Sequence, residues 1–129
     1  MNVLFDYMYR DHGNWKMVGE VIFANPDRLP LAEAEERLRH ACCEDANFNA
    51  HQIRVPEVYF EDTDIECDQV FHEFCGLEAT EKPATDARTL KQFVEAFEAA
   101  HKRGWESSPR MDSLGYALPI GRKSLEKPR

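Results

Sequence analysis

From residue 3 the chain alternates, with Val3, Phe5, Tyr7 and Tyr9 on one side and Leu4, Asp6, Met8 and Arg10 on the other, which is the period-2 spacing of a half-buried strand. A second strand is expected at about 15–24. The intervening Asp11, His12, Gly13 and Asn14 are turn formers, and Gly13 can take a positive φ, so the two runs predict an antiparallel hairpin.

The period changes after Pro26. Leu31, Ala34, Leu38, Ala41 and Cys42 recur at three and four within 30–43, with Glu33, Glu35 and Glu36 early and Arg37, Arg39 and His40 late, the charge order that suits a helix dipole. A third strand is expected over Arg54–Phe60, with Pro56 marking its start or an edge position, and a fourth over Val70–Ala79. Thr85 or Asp86 is the expected cap of a second helix at 87–103, whose stripe is Leu90, Phe93, Val94, Phe97 and Ala100. Gly104 followed by Trp105 suits the helix end.

The order β-β-α-β-β-α predicts one α+β domain over residues 1–105, a four-stranded, mainly antiparallel sheet with both helices on one face. Two helices cover only one face. Some of the rings Tyr7, Tyr9, Trp15, Phe23, Tyr59, Phe60, Phe71 and Phe74 are therefore expected on the open face, as an aromatic docking surface with acidic edges. Residues 106–129 contain three prolines and read as a basic tail, mobile or laid over the surface, with Met111, Leu114, Tyr116, Leu118 and Ile120 available for docking.

The 129 residues are 43% apolar and 31% charged with a net charge of -8, as in ordinary soluble domains. No apolar run suits a membrane helix and the N-terminus lacks a signal-peptide pattern, so the expected location is the cytoplasm, with no membrane partner. The four cysteines, Cys42, Cys43, Cys67 and Cys75, are accordingly expected as free, mostly buried thiols.

Charge changes the picture most. Residues 1–105 hold 11 Lys/Arg against 21 Asp/Glu, whereas 106–129 hold 5 against 3. Between Val55 and Glu81 there are nine carboxylates and no Lys or Arg. Such a surface repels nucleic-acid backbones and attracts basic proteins. Glu57, Glu61, Asp62, Asp64, Glu66, Asp68 and Glu73 are the expected partner-binding residues, although carboxylates of this kind can equally well do no more than solvate a face.

Motifs for chemistry are weak. Asp62, Asp64, Glu66, Asp68 and Glu73 fall at positions 1, 3, 5, 7 and 12 of a calcium loop, but Cys67 replaces its glycine and Gln69 its apolar residue. Cys67, His72 and Cys75, with His40, Cys42 and Cys43, lack the C-x-x-C spacing of structural zinc sites. No nucleotide-binding or nucleophile-elbow motif occurs. No cofactor or metal is expected, and no catalytic residue is assigned. Asp11 with His12, and His72, are the groups an acid–base reaction would have to use, and His72 and Glu73 should point to opposite faces of their strand.

Tyr9, Arg10, Asp11, Asn14, Trp15, Lys16, Gly19 and Glu20, followed by His72, Glu73, Phe74, Leu77 and Glu78, resemble a family of small uncharacterised bacterial proteins with a Y-R-D-x-x-N-[WYF]-K-x-x-G-E opening and a later H-E-F-x-x-[IL]-E. The resemblance implies no activity. Physically, Asp11 and Asn14 suit turn hydrogen bonds and Arg10 suits an ion pair across the sheet. The sequence thus favours a non-enzymatic acidic module that binds a basic protein surface, such as an inhibitor mimicking nucleic acid in a phage or mobile-element setting. The alternative is a small hydrolase or nuclease-like toxin using histidine and carboxylate groups.

Overall fold

A computed structural model describes residues 1–10, 13–44, 46–58 and 71–106. Its elements are β1 (Asn2–Arg10), β2 (Lys16–Phe23), α1 (Leu31–Ala41), β3 (Asn47–Phe48), β4 (His72–Thr80) and α2 (Leu90–Arg103). The strands form one antiparallel sheet in the order β2-β1-β4-β3, and the fold is α+β as the residue pattern implies.

The alternation in β1 sets the core. Val3, Phe5, Tyr7 and Tyr9 are at most 2% exposed, and both helices cover this side. Phe93 and Phe97 of α2 place their rings 4.8 and 6.5 Å from that of Phe5. Leu90, Phe93, Val94, Phe97 and Ala100 are all fully buried, as their spacing demands, and Ala34, Leu38 and Ala41 of α1 complete the same core. Each such Leu, Val or Phe contributes about 1.5–3 kcal/mol relative to exposure. Arg37 of α1 grips Glu98 of α2 through two hydrogen bonds, of 2.6 and 3.0 Å, and so fixes how the helices pair.

The helix ends are set by local chemistry. The cap of α2 is Thr89, not Thr85 or Asp86: its side chain accepts from the Gln92 amide at 3.2 Å while the Gln92 side chain accepts from the Thr89 amide at 2.9 Å, a capping box. Thr85 is occupied elsewhere, accepting from the Ile22 amide through Oγ1, and Asp86 is tied to Arg88. Gly104 ends α2 with φ 102°, which admits Trp105 to meet Phe97 edge to face at 5.1 Å and donate to the Ala41 carbonyl at 2.8 Å.

The expected strand over Arg54–Phe60 is a correction: its described part, Arg54–Val58, is a turn followed by an extended loop, and the third strand is the two-residue β3. The reason is local. Arg54 has φ 57° and closes a turn in which the Val55 amide donates to the Ala50 carbonyl at 3.1 Å. Pro56 cannot donate to a ladder. Ile53, Val55 and Val58 still bury their side chains, and core side chains satisfy the backbone. The Tyr7 hydroxyl donates to the Pro56 carbonyl at 2.6 Å, and His72 Nε2 accepts from the Val58 amide at 3.0 Å.

In the hairpin connector, Asn14 takes the left-handed conformation with φ 68°, and its side chain accepts from Arg10. Asp11 and His12, Tyr59 to Val70 and the tail from residue 107 lie outside the described residues.

Candidate functional site

The face of the sheet opposite the helices is where alternation sends the remaining side chains. The register β1 to β2 sets Leu4 beside Ile22, Asp6 beside Glu20, Met8 beside Val18 and Arg10 beside Lys16, while β4 adds Glu78, Gly76 and Glu73 next to Leu4, Asp6 and Met8. A bulge at Cys75 lets β4 contribute Phe74 and His72 to the core and Glu73, Gly76 and Glu78 to the open face.

The expectation of rings on this face is corrected. Phe5, Tyr7, Tyr9, Phe23 and Phe74 are 0–3% exposed and point into the core, where they pack on one another and on α2, and Trp15 and Phe71 are half-buried against the same core; Tyr59 and Phe60 lie outside the described residues. A single apolar layer between sheet and helices consumes nearly every aromatic ring the strands supply. The open face instead carries carboxylates, the two cations Arg10 and Lys16, and aliphatic groups, with Val18 60% exposed at its edge.

Its electrostatics are unbalanced in one place. Asp6 lies directly opposite Glu20, with Glu78 two residues along from its other cross-strand partner, Gly76, on the neighbouring strand. Partial burial raises the Asp6 carboxyl above its ordinary 3.8, and the charges of Glu20 and then Glu78 raise it further. Like charges set opposite each other in a sheet are unfavourable. Among the described residues no ion pair joins these three to a cation. Further along the same face, Arg10 meets Glu73 at 2.9 Å, the cross-sheet ion pair expected of that arginine.

The expected partner-binding residues fall into two groups. Glu61, Asp62, Asp64, Glu66 and Asp68 lie outside the described residues. Glu73 is bound to Arg10, and Glu57, its side chain 11% exposed, lies 3.7 Å from His51 on the loop at the helix side of the sheet. These two glutamates serve internal contacts. The Asp6–Glu20–Glu78 row was missed in the sequence, although Asp6 and Glu20 are both polar-side residues of the expected hairpin and pairing Arg10 with Lys16 sets them opposite.

His72 is a core residue. It is fully buried, its ring lies 5.2 Å from Tyr9 and 6.0 Å from Tyr7, and its Nε2 is occupied by the Val58 amide. As expected, Glu73 points away from it. Of the cysteines, Cys42 is buried, Cys43 half-buried and Cys75 exposed, all free, so burial is less general than the composition suggested; Cys67 lies outside the described residues. Among the described residues no group of three or more His, Cys, Asp or Glu could hold a metal ion. A groove of about 680 Å³ runs between the helix C-terminal halves, lined by Glu36, Arg37, His40, Glu98, His101 and Lys102. Its central charges, Arg37 and Glu98, are spent on each other. No described helix is long and apolar enough to cross a membrane.

Comparison with family models, curated proteins and solved structures returns no match. The fold and the open face therefore carry the functional argument alone.

Proposed function

We propose that this protein is a non-enzymatic interaction module that presents the acidic open face of its sheet to a basic surface on another protein. The observation that carries this is the Asp6–Glu20–Glu78 row, where the fold holds like charges side by side at a cost to its own stability. A cationic partner converts that cost into attraction, and exposed Val18 with Met8 beside it supplies apolar contact next to the charge. A surface of this kind suits a protein whose cationic groups normally hold nucleic-acid phosphates, so an inhibitor acting by mimicry is the specific form of the proposal. Location in the cytoplasm belongs to the same reading. His72 gives the catalytic alternative no support, because its buried Nε2 is already an acceptor.

The test is affinity capture with the parent and with an Asp6→Lys, Glu78→Lys variant, whose fold is checked by circular dichroism. The expected result is a bound protein that high salt releases, since screening acts over about 8–10 Å at physiological ionic strength, and that the variant fails to retain. A partner held equally by the folded variant would overturn the proposal.

A further inference from the structure

The two edges of the sheet are treated differently. Beyond the short β3, the outer edge of β4 is covered by α1, with Glu35 Oε1 accepting from the Leu77 amide at 3.2 Å and Arg39 donating to the Cys75 carbonyl at 3.2 Å. At the other edge, Thr85 pairs with both backbone groups of Ile22, its amide donating to the Ile22 carbonyl at 2.8 Å and its Oγ1 accepting from the Ile22 amide at 2.9 Å. That cover stops at Ile22. In an antiparallel ladder the backbone groups of alternate residues point the same way, so those of Glu20, Val18 and Lys16 also point off the edge, while Met17, Gly19 and Val21 bond to β1. Among the described residues, the backbone groups of Val18 and Glu20 meet no partner beyond this edge.

An open edge is usually blunted by proline, a bulge or charge. Residues 16–20 of β2 contain no proline and stay in unbroken register with β1. Their two charges are of opposite sign and placed symmetrically about Val18, itself 60% exposed. We propose that this edge pairs with the same edge of a second copy of the chain, antiparallel and centred on Val18, across a two-fold axis.

The register follows from charge. Centring on Val18 sets Lys16 of each copy opposite Glu20 of the other, and the two valines against each other. Centring on Lys16 or on Glu20 sets like charges opposite, which disfavours both, while centring on Met17 or on Gly19 brings no opposite charges together. A register that reaches further is stopped because Ile22 is already bonded to Thr85. The contact is isologous and closes on itself, so it yields a dimer and not a fibre. It is also short, which makes the dimer weak and concentration-dependent. Pairing would place the two open faces side by side in one continuous sheet, and it stands or falls independently of the partner proposed for that face.

Sedimentation equilibrium up to roughly millimolar protein tests this. The expected mass rises with concentration from 15.0 kDa toward about twice that value. Val18→Pro removes an edge amide without touching the β1 ladder and should stay monomeric. Lys16→Glu and Glu20→Lys should each be monomeric alone, whereas an equal mixture restores opposite charges at both positions and should recover the dimer; this pair decides the matter even if the proline variant does not fold. A parent that stays monomeric throughout, variants that dimerise like the parent, or a mixture that fails to recover the dimer would each overturn the proposal.

Discussion

The ring of Tyr7 rests on the backbone of Gly19, its cross-strand partner: a Cβ placed at residue 19 would lie 2.6 Å from Cζ of Tyr7. The ring cannot simply step aside. Tyr7 is fully buried, its hydroxyl is bonded to the Pro56 carbonyl at 2.6 Å, and Phe5 and Phe48 flank it at 5.3 and 5.9 Å. Gly19→Ala should therefore destabilise the fold by about 1–3 kcal/mol, the usual cost of overpacking. Tyr7→Phe should cost about 1 kcal/mol through its hydrogen bond alone. Denaturant unfolding of both variants checks this; an alanine variant as stable as the parent would show that the ring is free to move.

His72 anchors the 49–58 loop from inside the core. With Nε2 accepting from the Val58 amide, His72→Phe keeps the ring volume but leaves that amide without its acceptor, a cost of about 1–3 kcal/mol. Hydrogen exchange should show the Val58 amide losing protection while the amides of α2 keep theirs. Unchanged exchange at Val58 would mean that the loop is held by its buried side chains alone.

The parts of this fold legible in sequence are those written in local spacing. The stripe Leu90, Phe93, Val94, Phe97 and Ala100 is buried residue for residue, because a helical period needs only neighbours. Asn47–Phe48 is too short to show any period. The run Arg54–Phe60 looks like a strand because Val55 and Val58 are apolar, but within its described part the backbone at Pro56 and Val58 bonds to Tyr7 and His72, 49 and 14 residues away, and no local pattern encodes such bonds. The candidate site divides in the same way. Asp6 opposite Glu20 follows from hairpin register, whereas Glu78 joins them only through the bulge at Cys75.

Two aspartates should give the stability curve opposing acid limbs. Hydrogen bonds and charge from Arg88 hold the Asp86 carboxyl below 3.8, so its stabilisation is full above the unfolded-state value and is lost as pH falls through the lower folded one. Asp6 is raised above 3.8 by burial, Glu20 and Glu78, so its favourable contribution is full below the unfolded-state value and is lost as pH rises through the raised folded one. At neutral pH, Asp6→Asn should stabilise by about 0.2–1 kcal/mol, and Asp86→Asn should destabilise by about 1–2 kcal/mol. Thermal melts across the acid range check both. A destabilised Asp6→Asn would show that the carboxylate is structural and remove the frustrated row from the functional argument.

The exposed thiol of Cys75 reports on the same face. Partial burial raises it above the ordinary 9.0, and the nearby carboxylates of Asp6 and Glu73 raise it further against Arg39 and Arg10. Because the thiolate is the reacting species, alkylation of Cys75 at neutral pH should be slower than that of a free cysteine. Asp6→Asn should speed it, because removing that carboxylate's charge lowers the thiol toward its ordinary value. Cys42, buried and pushed up to about 12, should react only on unfolding. Peptide-resolved mass spectrometry separates these thiols. A partner seated on the open face should protect Cys75, whereas a partner that leaves its labelling rate unchanged would be bound elsewhere.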